Sequence, residues 1–326
     1  MKHLVILLVF LSLFSCENTP KYSSLKGTAF GTSFSIKYKN TAHQDFTNTV
    51  DSLVNSVNKS LSTYMQTSDI SRINQGDTTV VIDEKFIEVY KKSKRIFVET
   101  NGVFDPTIGV LVNAWDFGPE KQIKNLDSLT VRKLMQQVGF DKVHLQNNKI
   151  VKENNKTYFD FNAIAKGYGI DIIGRFFETK GITNYMVEIG GEVRAKGKNQ
   201  NDEFWRIGIE HPNFDGTQSI QKVISLRNES IATSGTYRKF KIDKNGNKYA
   251  HILNTKTGYP AKSNLLSASV IAPLDCADVD GYATTFIAFG LEKSKEFLKN
   301  HQELKAFLIY VDGDGKMQTY QSENLE

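Results

Sequence analysis

Asp280 and Thr284 stand four residues apart in the stretch Ala277-Asp-Val-Asp-Gly-Tyr-Ala-Thr-Thr-Phe286. On a helix, that spacing puts a carboxylate and a hydroxyl on one face. With a carbonyl from elsewhere they suit a hard, oxygen-preferring cation such as Mg²⁺. An Asp near a helix N-terminus, favoured by the dipole, accounts for the carboxylate equally well. His251 opens His251-Ile-Leu-Asn-Thr-Lys-Thr-Gly258, downstream of the hydroxyl-rich Ala232-Thr-Ser-Gly-Thr-Tyr237 that contains Ser234. A lone His is usually structural, but beside a Gly/Thr turn it could serve as a general base, because imidazole titrates near neutrality. In Asp160-Phe-Asn-Ala-Ile-Ala-Lys-Gly-Tyr-Gly-Ile-Asp171 a strand gives way to a helix. The first-turn N–H groups there are expected to face outward, ready for an anion, with Lys166 adding charge and Gly167 and Gly169 allowing close approach. A plain capped helix with Lys166 in solvent is the simpler alternative.

Two further stretches are chemically dense. Gly102-Val-Phe-Asp-Pro-Thr-Ile-Gly109 holds Asp105 between Phe104 and Pro106, in fixed non-helical backbone. Its carboxylate could accept hydrogen bonds from sugar or ring N–H groups, or cap the next helix with Pro106 in the first turn. Val187-Glu-Ile-Gly-Gly-Glu-Val-Arg-Ala195 carries a Gly pair that permits positive φ or a close ligand; a tight turn explains it too.

The elements that must position these groups can be read from periodicity. Residues 26–38 alternate as a strand. Val50, Leu53, Val54, Val57 and Leu61 keep helical spacing, and so do Phe86, Ile87, Tyr90, Ile96 and Phe97. Shorter helices are expected over 127–137 and 293–300, and longer ones over 163–179 and 277–290. Strands are expected over 143–151, 157–161, 185–189, 192–196, 205–209, 223–226, 237–242, 248–253, 265–271, 306–312 and 316–320. Asp243-Lys-Asn-Gly-Asn247 reads as a hairpin turn. Helices and strands mix without strict βαβ alternation, so the fold class is α+β, in two interwoven lobes of sheet and helices.

The whole composition limits the function. The chain has 326 residues, 40% apolar and 24% charged, with a net charge of +5. These values exclude a disordered chain, a collagen and a coiled coil. The basic excess forms no long run, so nucleic acid is not expected as a partner. The one long apolar run, residues 4–14, follows Met1-Lys2-His3 and is too short for a comfortable membrane span. It ends in Leu13-Phe14-Ser15-Cys16, which resembles the lipobox of bacterial lipoproteins, with Phe14 bulkier than usual. That resemblance implies a signal peptide over 1–15, lipid (diacyl, palmitate-type) on Cys16, a tether over 16–25 and a folded domain over 26–326. It implies an exported lipoprotein, anchored to a membrane and facing the periplasm or the cell exterior. The second cysteine, Cys276, then lacks a disulfide partner and reads as a small buried hydrophobe. No CxxC, HExxH or zinc-ligand spacing is present.

Taken in order, the segments resemble the ApbE family, the FAD:protein FMN transferases, over roughly residues 30–290. The resemblance rests on Gly31-Thr32, on Ser62-Thr-Tyr-Met-Gln-Thr-Ser-Asp-Ile-Ser-Arg-Ile-Asn74, on Phe104-Asp-Pro-Thr107 and on the Asp160–Gly167 stretch. It also rests on the segments at 188–192, 205–212, 232–235, 251–258 and 280–284. It implies an ApbE-like (T-fold-like) architecture, binding of FAD and Mg²⁺, and transfer of FMN to a Ser or Thr hydroxyl of a target protein with release of AMP. By the resemblance, Ala163 (through its carbonyl), Asp280 and Thr284 would hold Mg²⁺. Phe30, Tyr64, Val103, Phe104, Asp105, Asp160, Lys166, Ser234 and Ile252 would contact FAD, and His251 would be the base. The acceptor would carry a D-x-x-[ST]-G-A-[ST]-type motif, as in flavin-carrying subunits of sodium-pumping quinone reductases and RNF complexes. Two departures stand out. Thr255 replaces the family's usual Pro, and Phe30 stands where a Met is common. Asp280 rather than Asp278 is placed at the metal position. Alternative readings are an FAD pyrophosphatase giving FMN and AMP, and a flavin-binding lipoprotein without turnover.

Overall fold

The computed structural model describes residues 22–123, 126–237, 240–242 and 248–326. The expected signal peptide, Cys16, the first part of the tether and the turn at 243–247 lie outside the described residues.

The chain runs β1 (Tyr22–Ala29), β2 (Thr32–Lys39), α1 (Thr47–Leu61), α2 (Asp69–Asn74), α3 (Glu84–Glu99), α4 (Gly109–Ala114) and α5 (Ser128–Met135). Then come β3 (Val143–Gln146), β4 (Lys149–Lys152), α6 (Ala165–Thr179), β5 (Tyr185–Ile189), β6 (Glu192–Lys196), β7 (Trp205–Glu210) and β8 (Ile220–Leu226). The rest is β9 (Ser230–Gly235), β10 (Phe240–Ile242), β11 (Lys248–Ala250), β12 (Leu265–Ala272), α7 (Cys276–Phe289), α8 (Leu291–Asn300), β13 (Lys305–Val311) and β14 (Met317–Gln321). Eight strands form one sheet in the order β1-β2-β5-β6-β9-β12-β13-β14, and every neighbouring pair is antiparallel.

The sheet separates two cores. On one face, Ile36, Tyr38, Val187, Ala268 and Leu308 meet the apolar stripes of α1, α3, α6 and α7. On the other face, Val193, Ile231, Ile271 and Ile309 meet Trp205, Ile209 and Ile224 of the β7–β8 hairpin. The β12 strand reads as a continuous apolar run because both its faces are covered. A third, smaller core joins Leu111 of α4, Val131 of α5, Val138 and Leu253.

Several sequence expectations are corrected. The single strand over 26–38 is a hairpin, β1 and β2, turning at Phe30 and Gly31, which both take positive φ (51° and 77°). Two consecutive left-handed residues are the signature of a tight two-residue hairpin turn. The sheet begins at Tyr22, so the end of the stretch read as tether is strand. Residues 232–235 of the hydroxyl-rich stretch belong to β9, a central strand that the periodicity does not mark; Thr233 pairs its hydroxyl with that of Ser269 on β12 at 2.7 Å. Residues 157–161 are extended but form only an isolated bridge, Ile108 to Tyr158. Asn74 does the work of a neighbouring strand there: its amide donates to the Phe159 carbonyl (2.8 Å) and accepts from the Phe159 N–H (2.7 Å). The short helices α2 and α4 carry too few residues for a periodic signal.

Candidate active site

The floor of the site is made by α6 and α7, which approach closely because α6 begins with glycines. A Cβ on Gly167 would lie 2.5 Å from the Cys276 carbonyl oxygen. A Cβ on Gly169 would lie 2.4 Å from the Phe30 ring. The close approach foreseen for these glycines is therefore to the protein itself: one lets α7 in, the other seats the aromatic ring at the β1–β2 turn. Proximity of the helices brings the Asp280 carboxylate to the first turn of α6, where Oδ2 accepts from the Gly167 N–H at 3.1 Å. This corrects the expectation of an outward-facing anion site, because a side-chain carboxylate already takes that donor. The Ala165 N–H goes to Phe161.

The walls come from three loops and α7. Asp105 is buried, and its carboxylate is satisfied by its own loop and by the segment at Phe140. It accepts from the Thr107 N–H (2.8 Å) and hydroxyl (2.6 Å) and from the Phe140 N–H (3.3 Å). Burial raises its pKa. The Asp160 N–H donates to the Pro106 carbonyl (2.7 Å), and Asp160 Oδ1 accepts from the Asn162 N–H (2.7 Å), which fixes the turn that presents Ala163. Opposite, the His251 loop is tied down at two points. The Thr255 hydroxyl donates to the Gly102 carbonyl (2.7 Å), and Trp115 Nε1 donates to the Gly258 carbonyl (2.8 Å). The His251 ring meets Phe117 edge to face.

These walls enclose a cleft of about 940 Å³, within the usual range for a small-molecule site. It gathers His251, Ile252, Phe30, Tyr64, Val103, Phe104, Asp105, Asp160, Lys166, Ala163 and Thr284. Phe104 is buried and Tyr64 is 58% exposed, so aromatic surface lies both deep in the cleft and at its mouth. Thr284, Thr285 and Ala288 give one face of α7 to the cleft. Asp280 sits one turn earlier, buried behind the wall. Asp278 faces away, bound to Lys92 (2.9 Å) and Arg95 (2.5 Å) of α3. Of the predicted residues of the described chain, the cleft lining lacks Asp280, which sits behind the wall, and Ser234, which lies on β9 opposite Ala268.

Sequence reasoning missed Glu192. It follows the Gly190-Gly191 turn at the start of β6, is 3% exposed, and pairs Oε1 with Lys166 Nζ at 2.9 Å. Its carboxyl adjoins that of Asp280, and burial and this neighbour raise it far above the ordinary carboxylate range. Burial likewise raises Asp280, against the opposing pull of Lys166. Burial alone would lower Lys166, but the charges of Glu192 and Asp280 outweigh it and keep the ammonium protonated. The signal available was the acidic residue directly after the Gly pair.

The oxygen donors fit a hard cation. Ala163 and Thr284 line one cleft, the Asp280 carboxylate one helical turn before Thr284 meets the first turn of α6, and one Lys stands against two buried carboxyls. No group of three or more His, Cys, Asp or Glu at metal-binding distance occurs among the described residues.

Comparison with known proteins places the chain among flavin transferases. Residues 30–308 match the profile of the ApbE family. A FAD:protein FMN transferase of Haemophilus influenzae is 36% identical over 320 residues, covering 94% of this chain and 91% of that protein. The Vibrio cholerae FAD:protein FMN transferase is 33% identical over 96% of this chain and 94% of its own length. The solved structure of the flavin transferase ApbE from Vibrio cholerae superposes with a TM-score of 0.82 at 32% identity, covering 93% of this chain and 97% of that one.

Proposed function

This chain belongs to the ApbE family, and from that premise we propose how its cleft performs flavin transfer. The chain is an FAD:protein FMN transferase. The observation that carries the finer reading is that His251 and the Ala163–Thr284 pair line the same cleft, with Phe30 and Phe104 between loops that can take a flat ring. FAD lies in the cleft with its isoalloxazine against these aromatic faces. The acceptor is a Ser or Thr hydroxyl of a partner protein bearing a D-x-x-[ST]-G-A-[ST]-type motif, presented at the mouth.

In the reaction, the hydroxyl oxygen attacks the phosphorus of the FMN half. A phosphoester bond forms, the bridging P–O bond of the pyrophosphate breaks, and AMP leaves. His251 takes the hydroxyl proton. Such a displacement needs alignment and charge neutralisation more than covalent help. Mg²⁺ held by the Ala163 carbonyl, Asp280 and Thr284 supplies that neutralisation when bound. Asp105 and Asp160 keep the loops in register through their backbone bonds.

Incubation of the protein with FAD, Mg²⁺ and a candidate acceptor domain tests this directly. The expected products are an acceptor heavier by one FMN residue and an equal amount of AMP. Free FMN and AMP without an adduct would instead identify an FAD pyrophosphatase.

The N-terminal sequence supports export as a lipoprotein, with residues 1–15 removed and Cys16 carrying the lipid that holds the enzyme on a membrane, facing the periplasm or the cell exterior. No helix among the described residues is long and apolar enough to cross a membrane. Cys16→Ser should block labelling by radioactive palmitate and leave an unprocessed precursor; normal mature protein made without lipid would refute the anchor.

A further inference from the structure

Two buried carboxyls meet behind the cleft wall, and one ammonium serves both. Glu192 and Asp280 are 3% and 5% exposed. Their carboxyls adjoin each other, and Glu192 Oε2 has no hydrogen-bond partner. Lys166 binds the other oxygen, Oε1, at 2.9 Å. Asp280 has the Gly167 N–H. Burying two like charges side by side is costly unless cations offset both, and a single ammonium offsets one. The uncovered oxygen belongs to a carboxyl that adjoins the one already assigned to the cation. Lys166, in turn, is not sealed in. Its side chain is 29% exposed and forms part of the cleft wall, so its flexible stem leaves the ammonium a path into the cleft.

We propose that Glu192 is the second carboxylate of the divalent-cation site, and that Lys166 is a resident counter-cation which the metal displaces towards the cleft. The inference rests on the metal reading given above. It assigns Lys166 a double use: in the metal-free protein it holds the carboxyl pair together, and in the loaded protein its ammonium is released towards the phosphates of FAD. Metal binding and phosphate binding are thereby coupled through one side chain, without a change in the backbone.

The two variants are predicted to shift metal affinity in opposite directions. The probe is Mn²⁺ alone, titrated into FAD-free full-length mature protein, with free Mn²⁺ followed by its EPR signal and Mg²⁺ measured by competition. Glu192→Gln removes one of the two adjoining carboxyls and should weaken binding by about tenfold or more. Lys166→Met keeps the stem but removes the competing charge, and should tighten binding by about tenfold. Asp280→Asn should abolish binding. Melting curves of each variant accompany the titration, and tighter binding by Lys166→Met cannot arise from misfolding. Unchanged or weaker binding by Lys166→Met, or unchanged binding by a folded Glu192→Gln, overturns the exchange while leaving the metal reading standing. Wild-type protein that binds no Mn²⁺, or binds it equally after Asp280→Asn, overturns the metal reading and this inference together.

Discussion

At the scale of single residues, the sequence exposes those groups whose role depends on near neighbours. Asp280 and Thr284 could be paired from spacing alone, since a helix fixes which residues share a face. Glu192 could not be paired with them. Its partner Lys166 lies on α6 and its neighbour Asp280 on α7, and only the packed helices bring the three together. Ser234 lies on a central strand, β9, where the neighbouring Thr233 pairs its hydroxyl with that of Ser269. Asp105 was correctly read as conformationally fixed, and its carboxylate is already satisfied by Thr107 and Phe140. His251 is the residue whose chemistry is most open to test. It lines the cleft and meets Phe117 edge to face. His251→Ala should slow FMN transfer by roughly 10²–10⁴, the usual contribution of a general base. FAD affinity should change little, because the ring acts on the acceptor hydroxyl. A variant that loses FAD binding and melting temperature together with activity would make His251 a structural residue instead.

At the scale of elements, the loops around the cleft are held by a few side-chain struts. Thr255 matters most among these, because it joins the His251 loop to the Phe104 loop. It stands where the family usually has Pro, and its hydroxyl supplies a buried bond to the Gly102 carbonyl that a Pro could not make. Thr255→Val keeps the shape but strands a buried acceptor. It should cost about 1–3 kcal/mol of stability and weaken FAD binding, because Val103 and Ile252 sit on the two loops it joins. Thr255→Ser keeps the hydroxyl and should restore both. Equal FAD affinity in the Val and Ser variants would show that the strut does not shape the cleft. The same logic explains why short helices and struts escape a sequence reading. Asn74 fixes Phe159 through one side chain, and nothing in local periodicity announces such a bond.

At the scale of the whole molecule, one ionic network decides how α7 sits on the rest. Asp275 accepts from Lys92 of α3 (2.8 Å), Arg175 of α6 (2.6 Å) and Arg194 of β6 (2.5 Å). Asp171 of α6 takes the first N–H groups of α7, those of Cys276 (2.8 Å) and Ala277 (2.9 Å). Three helices and the sheet thus converge on the N-terminus of α7, the helix that carries Asp280 and Thr284. The α+β class and most long elements were legible because their apolar periods are strong. This convergence was not, because its charges come from segments distant in sequence. Burial alone would raise Asp275, but bonds from Lys92 and the neighbouring arginines hold its pKa well below the ordinary range. A depressed carboxylate contributes stability above its unfolded pKa near 4, and that contribution is lost as pH falls through the folded value. Asp275→Asn removes the carboxylate that three cations share, each of which keeps a second acidic partner, and should cost about 2 kcal/mol at neutral pH. Urea unfolding of wild type and variant across pH provides the check. The gap between them should hold from pH 7 down to about 5 and then shrink below about pH 4, as the wild-type carboxylate also loses its charge. A gap that stays constant to pH 2 would mean that the network acts through shape and hydrogen bonds, not through the charge of Asp275.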